Sequence, residues 1–156
     1  MGSTPRKRKA AVAAPNLSGL HLYYPVLVSC ELDRATVDVE AKSGDKEPER
    51  FYDCRVQPTS GEGAVTLAVC EFAAGKKLKD DKLVEVKATY YVGFSAENKM
   101  TIEQEDAFLS ELSRASAWPM FRDLFIHIGS QTGDELPLLP NIPHVIIVER
   151  NKIEST

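Results

Sequence analysis

Between Leu20 and Leu32, in "LHLYYPVLVSCEL", apolar residues alternate with period two. Leu22, Tyr24, Val26, Val28, Cys30 and Leu32 share one face; Tyr23, Pro25, Leu27, Ser29 and Glu31 share the other. Alternation rich in β-branched and aromatic residues predicts a strand. Pro25 cannot donate to a ladder, which places this strand at a sheet edge or puts a bulge near that position. A second strand is predicted over "FYDCRVQP", Phe51 to Pro58, with Tyr52, Cys54 and Val56 inward. "AVTLAVCEF", Ala64 to Phe72, is apolar on both faces apart from Thr66 and Glu71, as a central strand is. "LVEVKATYYVGFSA", Leu83 to Ala96, is the longest, with Val84, Val86, Ala88, Tyr90, Val92 and Phe94 on one side. Between these runs, "SGDKEPER", "TSGEG" and "AAGKKLKDDK" read as polar loops and turns. Connections this short favour antiparallel pairing, because parallel neighbours need a long crossover.

At Thr101 the period changes. Thr101 followed by Gln104 is a capping-box signature, and Glu103, Glu105 and Asp106 add negative charge near the positive end of a helix. Ile102, Phe108, Leu109, Leu112 and Ala115 then follow helical spacing. Trp118, Phe121, Phe125 and Ile128, with Leu124 beside them, form the apolar stripe of a second helical segment. Pro119 sits at its start, where proline is preorganised; inside a continuous helix it costs about 3 kcal/mol. A break or kink is therefore expected there, and an end near Gly129 to Gly133, where glycine takes the left-handed cap. Pro137, Pro140 and Pro143 then impose an extended, partly polyproline segment whose leucines must lie on something apolar. "VIIV" at 145–148 suits either a final short strand or a cover over the core. The sum is an α+β architecture: a four-stranded antiparallel sheet followed by a long kinked helix packed on one face.

Charge changes this picture at one end only. The chain of 156 residues carries 19 bases and 23 acids. Arg6, Lys7, Arg8 and Lys9 face no acid in the first nine residues, which leaves 15 bases against 23 acids in the rest. Residues 1–17 read as a disordered basic tail, and residues 18–156 as one domain. An acidic body lacks the basic surface that nucleic-acid binding requires. No segment reaches the roughly 20 apolar residues of a membrane span, and "AAVAAP" is too short for a secretory core. The three cysteines, Cys30, Cys54 and Cys70, form no CxxC and fall in apolar runs, so buried free thiols of a cytoplasmic protein are expected.

Candidate chemistry is sparse. His21, His127 and His144 are far apart, and no nucleophile elbow, zinc-protease, phosphate-loop or dinucleotide motif occurs. The acids near Thr101 are explained by helix-end electrostatics. The expectation is a protein that is not an enzyme and uses no cofactor or metal. What stands out is apolar surface. Tyr90, Tyr91 and Phe94 on the long strand and Trp118, Phe121 and Phe125 on the second helical segment suit a core of helix stripe on sheet face. Leu83, Tyr91 and Gly93 on the strand's second face, with Leu136, Leu138 and Leu139 in "LPLLPNIP", exceed what one sheet and one helical layer conceal. Surplus of that kind marks an oligomer interface or a binding groove. Tyr90, Phe94, Trp118, Phe121 and the three leucines of "LPLLPNIP" are therefore the candidate polypeptide-binding residues. A closed small-ligand pocket lined by Tyr90, Phe94 and Trp118 is the competing reading.

Taken in order, these features resemble the SecB-type preprotein-export chaperones. "WPMFRD" at 118–123 is similar to the family's aromatic-Pro-x-x-Arg-acid sequence, matching at Trp118, Pro119, Arg122 and Asp123. "PLLPNIP" at 137–143 is similar to its P-x-L-x-x-x-P segment, matching at Pro137, Leu139 and Pro143, and "GFS" at 93–95 to its aromatic-Ser ending. The resemblance spans residues 20–143 and implies an ATP-independent holdase. Such a protein binds unfolded or precursor polypeptides in apolar grooves, as a dimer of dimers, and engages an export motor ATPase. "HVIIVERNKIEST" departs from the family, being shorter and more β-like than its second helix, and the tail that contacts the motor has no counterpart. The alternative is a module of the same fold dedicated to one fixed partner, such as an antitoxin.

Overall fold

A computed structural model describes residues 11–35, 46–59, 65–133 and 135–150. Five strands, β1 (His21–Arg34), β2 (Glu49–Thr59), β3 (Val65–Leu78), β4 (Asp81–Ser95) and β5 (Ile147–Val148), form one sheet in the order β1-β4-β3-β2-β5. The first four pair antiparallel as expected. The fifth settles the alternatives for "VIIV": it joins β2 in parallel, so the sheet has five strands rather than four.

Three expectations are corrected. "AAGKKLKDDK" is mostly strand, with β3 running to Leu78 and only Lys79 and Asp80 forming the turn. Lys79 takes the left-handed conformation there, with φ of 54°. The six residues assigned to one face of β1 do not share it. The register slips against β4 between Tyr23 and Val26, around Pro25, and again between Leu27 and Ser29. Each bulge turns the following side chains over, so Val26 pairs with Tyr91 on one face while Leu27 pairs with Tyr90 on the other. Cys30, expected buried, is exposed, because β1 lies at the edge with little covering it.

The helix begins as expected. Thr101 accepts from the Gln104 amide at 3.2 Å, and the Gln104 side chain accepts from the Thr101 amide at 3.0 Å, closing the capping box. From α1 (Ile102–Leu112) the chain passes without a break through a π turn, Ser113–Ala117, into α2 (Trp118–Thr132). The Trp118 amide reaches back five residues to the Ser113 carbonyl. This wider turn accommodates the Pro119 ring, which would strike the preceding turn of a regular helix. Gly133, with φ of 71°, caps α2.

The helical layer covers one face of the sheet. Cys54 and Val56 of β2, Cys70 and Phe72 of β3, and the alternate residues Val86 to Phe94 of β4 meet Leu109, Trp118, Phe121 and Phe125. Phe72 is the hub, with ring centroids 5.4–5.9 Å from Tyr90, Trp118 and Phe121. Arg6 to Lys9 of the expected tail lie outside the described residues. Near Ala13 the chain is tied to α1 by a bond from the Gln104 side chain to the Ala13 carbonyl.

Candidate functional site

Leaving Gly133, the chain doubles back over α2 and the β2 edge, and its prolines fix where it lies. Trp118 Nε1 donates to the Pro140 carbonyl at 2.9 Å, so the core tryptophan holds the segment by its polar end. Pro143 is fully buried, and the His144 amide donates to the Tyr52 hydroxyl at 3.1 Å. Tyr52 packs in turn on Trp118, with centroids 5.6 Å apart. A segment that is fixed at Pro140, Pro143 and His144, and stiff between them, stands as a wall rather than a flap.

Two grooves follow that wall. One, of about 480 Å³, lies between α2 and the segment and is lined by Phe125, Ile126, Gly129, Leu136 and Leu138. The other, of about 380 Å³, lies toward β2, between Arg50, Phe51 and Tyr52 on one side and Leu138, Leu139 and His144 on the other. Leu138 belongs to both and is 82% exposed. Both are open troughs whose linings are mainly apolar, with Arg50 and His144 in the β2-side one and Ser130 and Glu135 in the other.

The expected site residues separate into two groups. Tyr90, Phe94, Trp118 and Phe121 are fully buried under the helices, and a bound chain reaches none of them without displacing packed side chains. Leu136, Leu138 and Leu139 line the troughs, Leu138 most exposed and the others half-buried. Tyr90, Phe94 and Trp118 line neither trough, and among the described residues their rings pack into the core. Ile126, Phe51 and Arg50 were missed. Ile126 had a readable signal, being an apolar residue off the Trp118–Phe121–Phe125–Ile128 stripe.

A third concavity, about 460 Å³, opens on the opposite face of the sheet and is charged. Glu85, only 3% exposed, is bonded there by Lys82 at 2.6 Å and Lys87 at 3.3 Å. Its carboxylate raises the pKa of Lys87 by hydrogen bonding and by charge. Arg55 and Asp53 also pair, so the charges in this hollow largely answer one another.

The thiols are poorly placed for nucleophilic chemistry. Burial, with Asp53 beside it, pushes Cys54 up to about 12, and burial pushes Cys70 up to about 11 despite the Ser113 hydroxyl at 3.1 Å. Thiols held protonated are weak nucleophiles. His21, His127 and His144 are all exposed. Among the described residues no group of three or more His, Cys, Asp or Glu is arranged to hold a metal ion.

β1 is the other unusual surface. Leu22, Tyr23, Tyr24, Val26, Leu27 and Val28 are all exposed, Tyr24 by 92%, on a 14-residue strand whose outer edge has no neighbour in the sheet among the described residues. Among the described residues no helix is long and apolar enough to cross a membrane.

No family model matches the sequence. No curated protein matches it significantly. The fold has relatives among solved structures. It is similar to the Mycobacterium tuberculosis SecB-like chaperone Rv1957, in complex with a ChAD peptide from the Rv1956 HigA1 antitoxin. The TM-score is 0.57 and the identity 8%, over 80% of this chain and 88% of that one. A protein of unknown function from Streptococcus agalactiae is similar at a TM-score of 0.46 and 11% identity, over 78% of this chain and 96% of its own. At such identity the likeness to the first is one of architecture, and on it the chain has a SecB-like α+β fold: a five-stranded sheet under one long helical layer.

Proposed function

We propose that this protein is an ATP-independent holdase that binds unfolded polypeptides in the two troughs flanking the proline segment. One observation carries this: a wall bearing Leu136, Leu138 and Leu139 is pinned open beside a core that is already full. A preordered wall loses little entropy when it meets a client. Open, mainly apolar troughs suit chains of varied sequence. The protein acts by binding alone, without catalysis or a cofactor. Its copies associate through β1, whose exposed apolar edge is the kind that pairs with another strand, and a dimer of dimers is the assembly that the family resemblance implies. Precursor polypeptides bound for export, and the export motor ATPase, are further partners implied by that resemblance.

Dilution of chemically denatured citrate synthase into buffer with a stoichiometric amount of the protein, without nucleotide, tests the holdase directly. Light scattering is suppressed if the troughs bind unfolded chains, and a well-folded protein that leaves scattering unchanged sinks the proposal. A second reading is favoured by the neighbour's antitoxin-derived peptide: the same troughs serve one dedicated partner. Recovery of a single stoichiometric protein, with no affinity for unrelated unfolded chains, decides for that reading.

A further inference from the structure

β2 runs for 11 residues, yet among the described residues its outer edge is paired at only two, Arg55 with Ile147 and Val56 with Val148. The occupant, β5, is two residues long and parallel, the pairing that is slightly less stable per residue. One more main-chain bond, from the Glu149 amide to the Val56 carbonyl at 2.9 Å, completes its hold on the strand. The side chains divide as those of a bound peptide do. Ile146 and Val148 pack on the core, while Val145 and Ile147 remain exposed.

Beyond the ladder the segment is pinned by charge. Arg150 donates from Nε to Asp106 at 2.7 Å and from its terminal nitrogen to Glu105 at 3.0 Å, both on the first turn and a half of α1. Pro143 and the His144–Tyr52 bond hold the upstream end. Between those two anchors lies only the short ladder. The trough at Arg50, Phe51 and Tyr52 opens onto this same edge.

We propose that residues 144–150 are a built-in, displaceable occupant of the β2 edge. An extended polypeptide with apolar residues at alternate positions takes their place. This rests on the polypeptide-binding reading above and adds to it a second docking surface with its own brake. Strand addition serves clients of varied sequence because main-chain groups make most of the contact. A client lying in the β2-side trough continues along β2 once the occupant leaves. The apparent dissociation constant for that client is the intrinsic one divided by the fraction of molecules whose edge is free, and the Arg150 clasp sets that fraction.

The test uses the full chain, its Arg150→Glu variant and the Arg150→Glu/Glu105→Arg pair. Each is titrated with reduced, carboxymethylated α-lactalbumin as a permanently unfolded client, and amide exchange is followed at Ile147 to Glu149. Arg150→Glu is expected to speed exchange there and to tighten client binding about fivefold, as the free fraction rises. The paired substitution returns both values toward those of the parent. Faster exchange with unchanged affinity overturns the inference and leaves binding in the troughs standing. Unchanged exchange also overturns it, since Arg150 then does not hold the segment. If parent and variants alike bind no unfolded client, the polypeptide-binding reading falls, and this inference with it.

Discussion

Trp118 does two jobs with two parts of one side chain. Its ring is buried among Phe72, Tyr52 and Phe121, and its indole nitrogen holds the Pro140 carbonyl. Trp118→Ala should therefore destabilise the chain by about 3–5 kcal/mol, the cost of emptying a large core site. Trp118→Phe should lose nearer to 1 kcal/mol, most of it the hydrogen bond, and should loosen the proline wall. Urea titration of both variants checks the order, and a Trp118→Phe variant as stable as the parent would show that the indole bond holds nothing. The thiols make a second residue-scale prediction. In the native protein a thiol reagent near neutral pH should modify Cys30 slowly, since partial burial and Glu31 raise its pKa, and should spare Cys54 and Cys70. Buried thiols also set an alkaline limit. Unfolded, they ionise near 9.0, whereas folded they stay protonated to about 12 and 11, so the unfolded chain holds fewer protons between those values. Stability is complete below pH 9 and falls as pH rises toward 11. A urea midpoint that stays flat across that window contradicts the assignment.

At the scale of elements, what was legible in the sequence is what neighbours in sequence decide. The Thr101 box, the Gly133 cap and the inward alternation of β4 need no distant partner, and all three appear as expected. The faces of β1 were misread because its two bulges exist only in register with β4. The extent of the β3–β4 hairpin was misread for a like reason. Polar lysines mark a turn in isolation, but paired strands carry them along the ladder from Lys76 to Lys82. Which aromatic residues reach the troughs was not legible either, since helix-stripe and groove residues share one composition and only packing separates them. Within this hairpin Gly75 is a sharp test. A Cβ there would collide with the Val84 carbonyl, a backbone atom with little freedom to move. Gly75→Ala should disrupt the β3–β4 pairing and lower the thermal midpoint. Unchanged stability would mean that the strands separate there without cost.

For the whole molecule, the distribution of apolar surface matters more than its amount. The helical side of the sheet is filled by its own residues, and much of the excess sits at the two margins, on β1 at one side and on the proline segment at the other, with Leu67 and Tyr91 exposed on the strands between. If copies meet along β1, the protein sediments as a multiple of its 17.2 kDa chain. Tyr24→Lys together with Val28→Lys, both on that strand, should then lower the mass without unfolding the core, as sedimentation and circular dichroism would record. A parent that sediments as a single chain removes the assembly from the proposal while leaving the troughs intact.

The contact between His144 and Tyr52 joins positions 92 apart in sequence, and the β5 ladder beside it spans as far. The β2–β3 and β3–β4 hairpins close across a few residues each, so they form early, while this far-reaching seam carries a large closure cost for a small ladder. During synthesis the β2 edge is therefore expected to stay bare until residues 144–150 have emerged. A two-residue ladder closed over so long a loop should also be the first margin to reopen in the folded protein, and amide exchange at Ile147 slower than that of the β3–β4 pairing would contradict this.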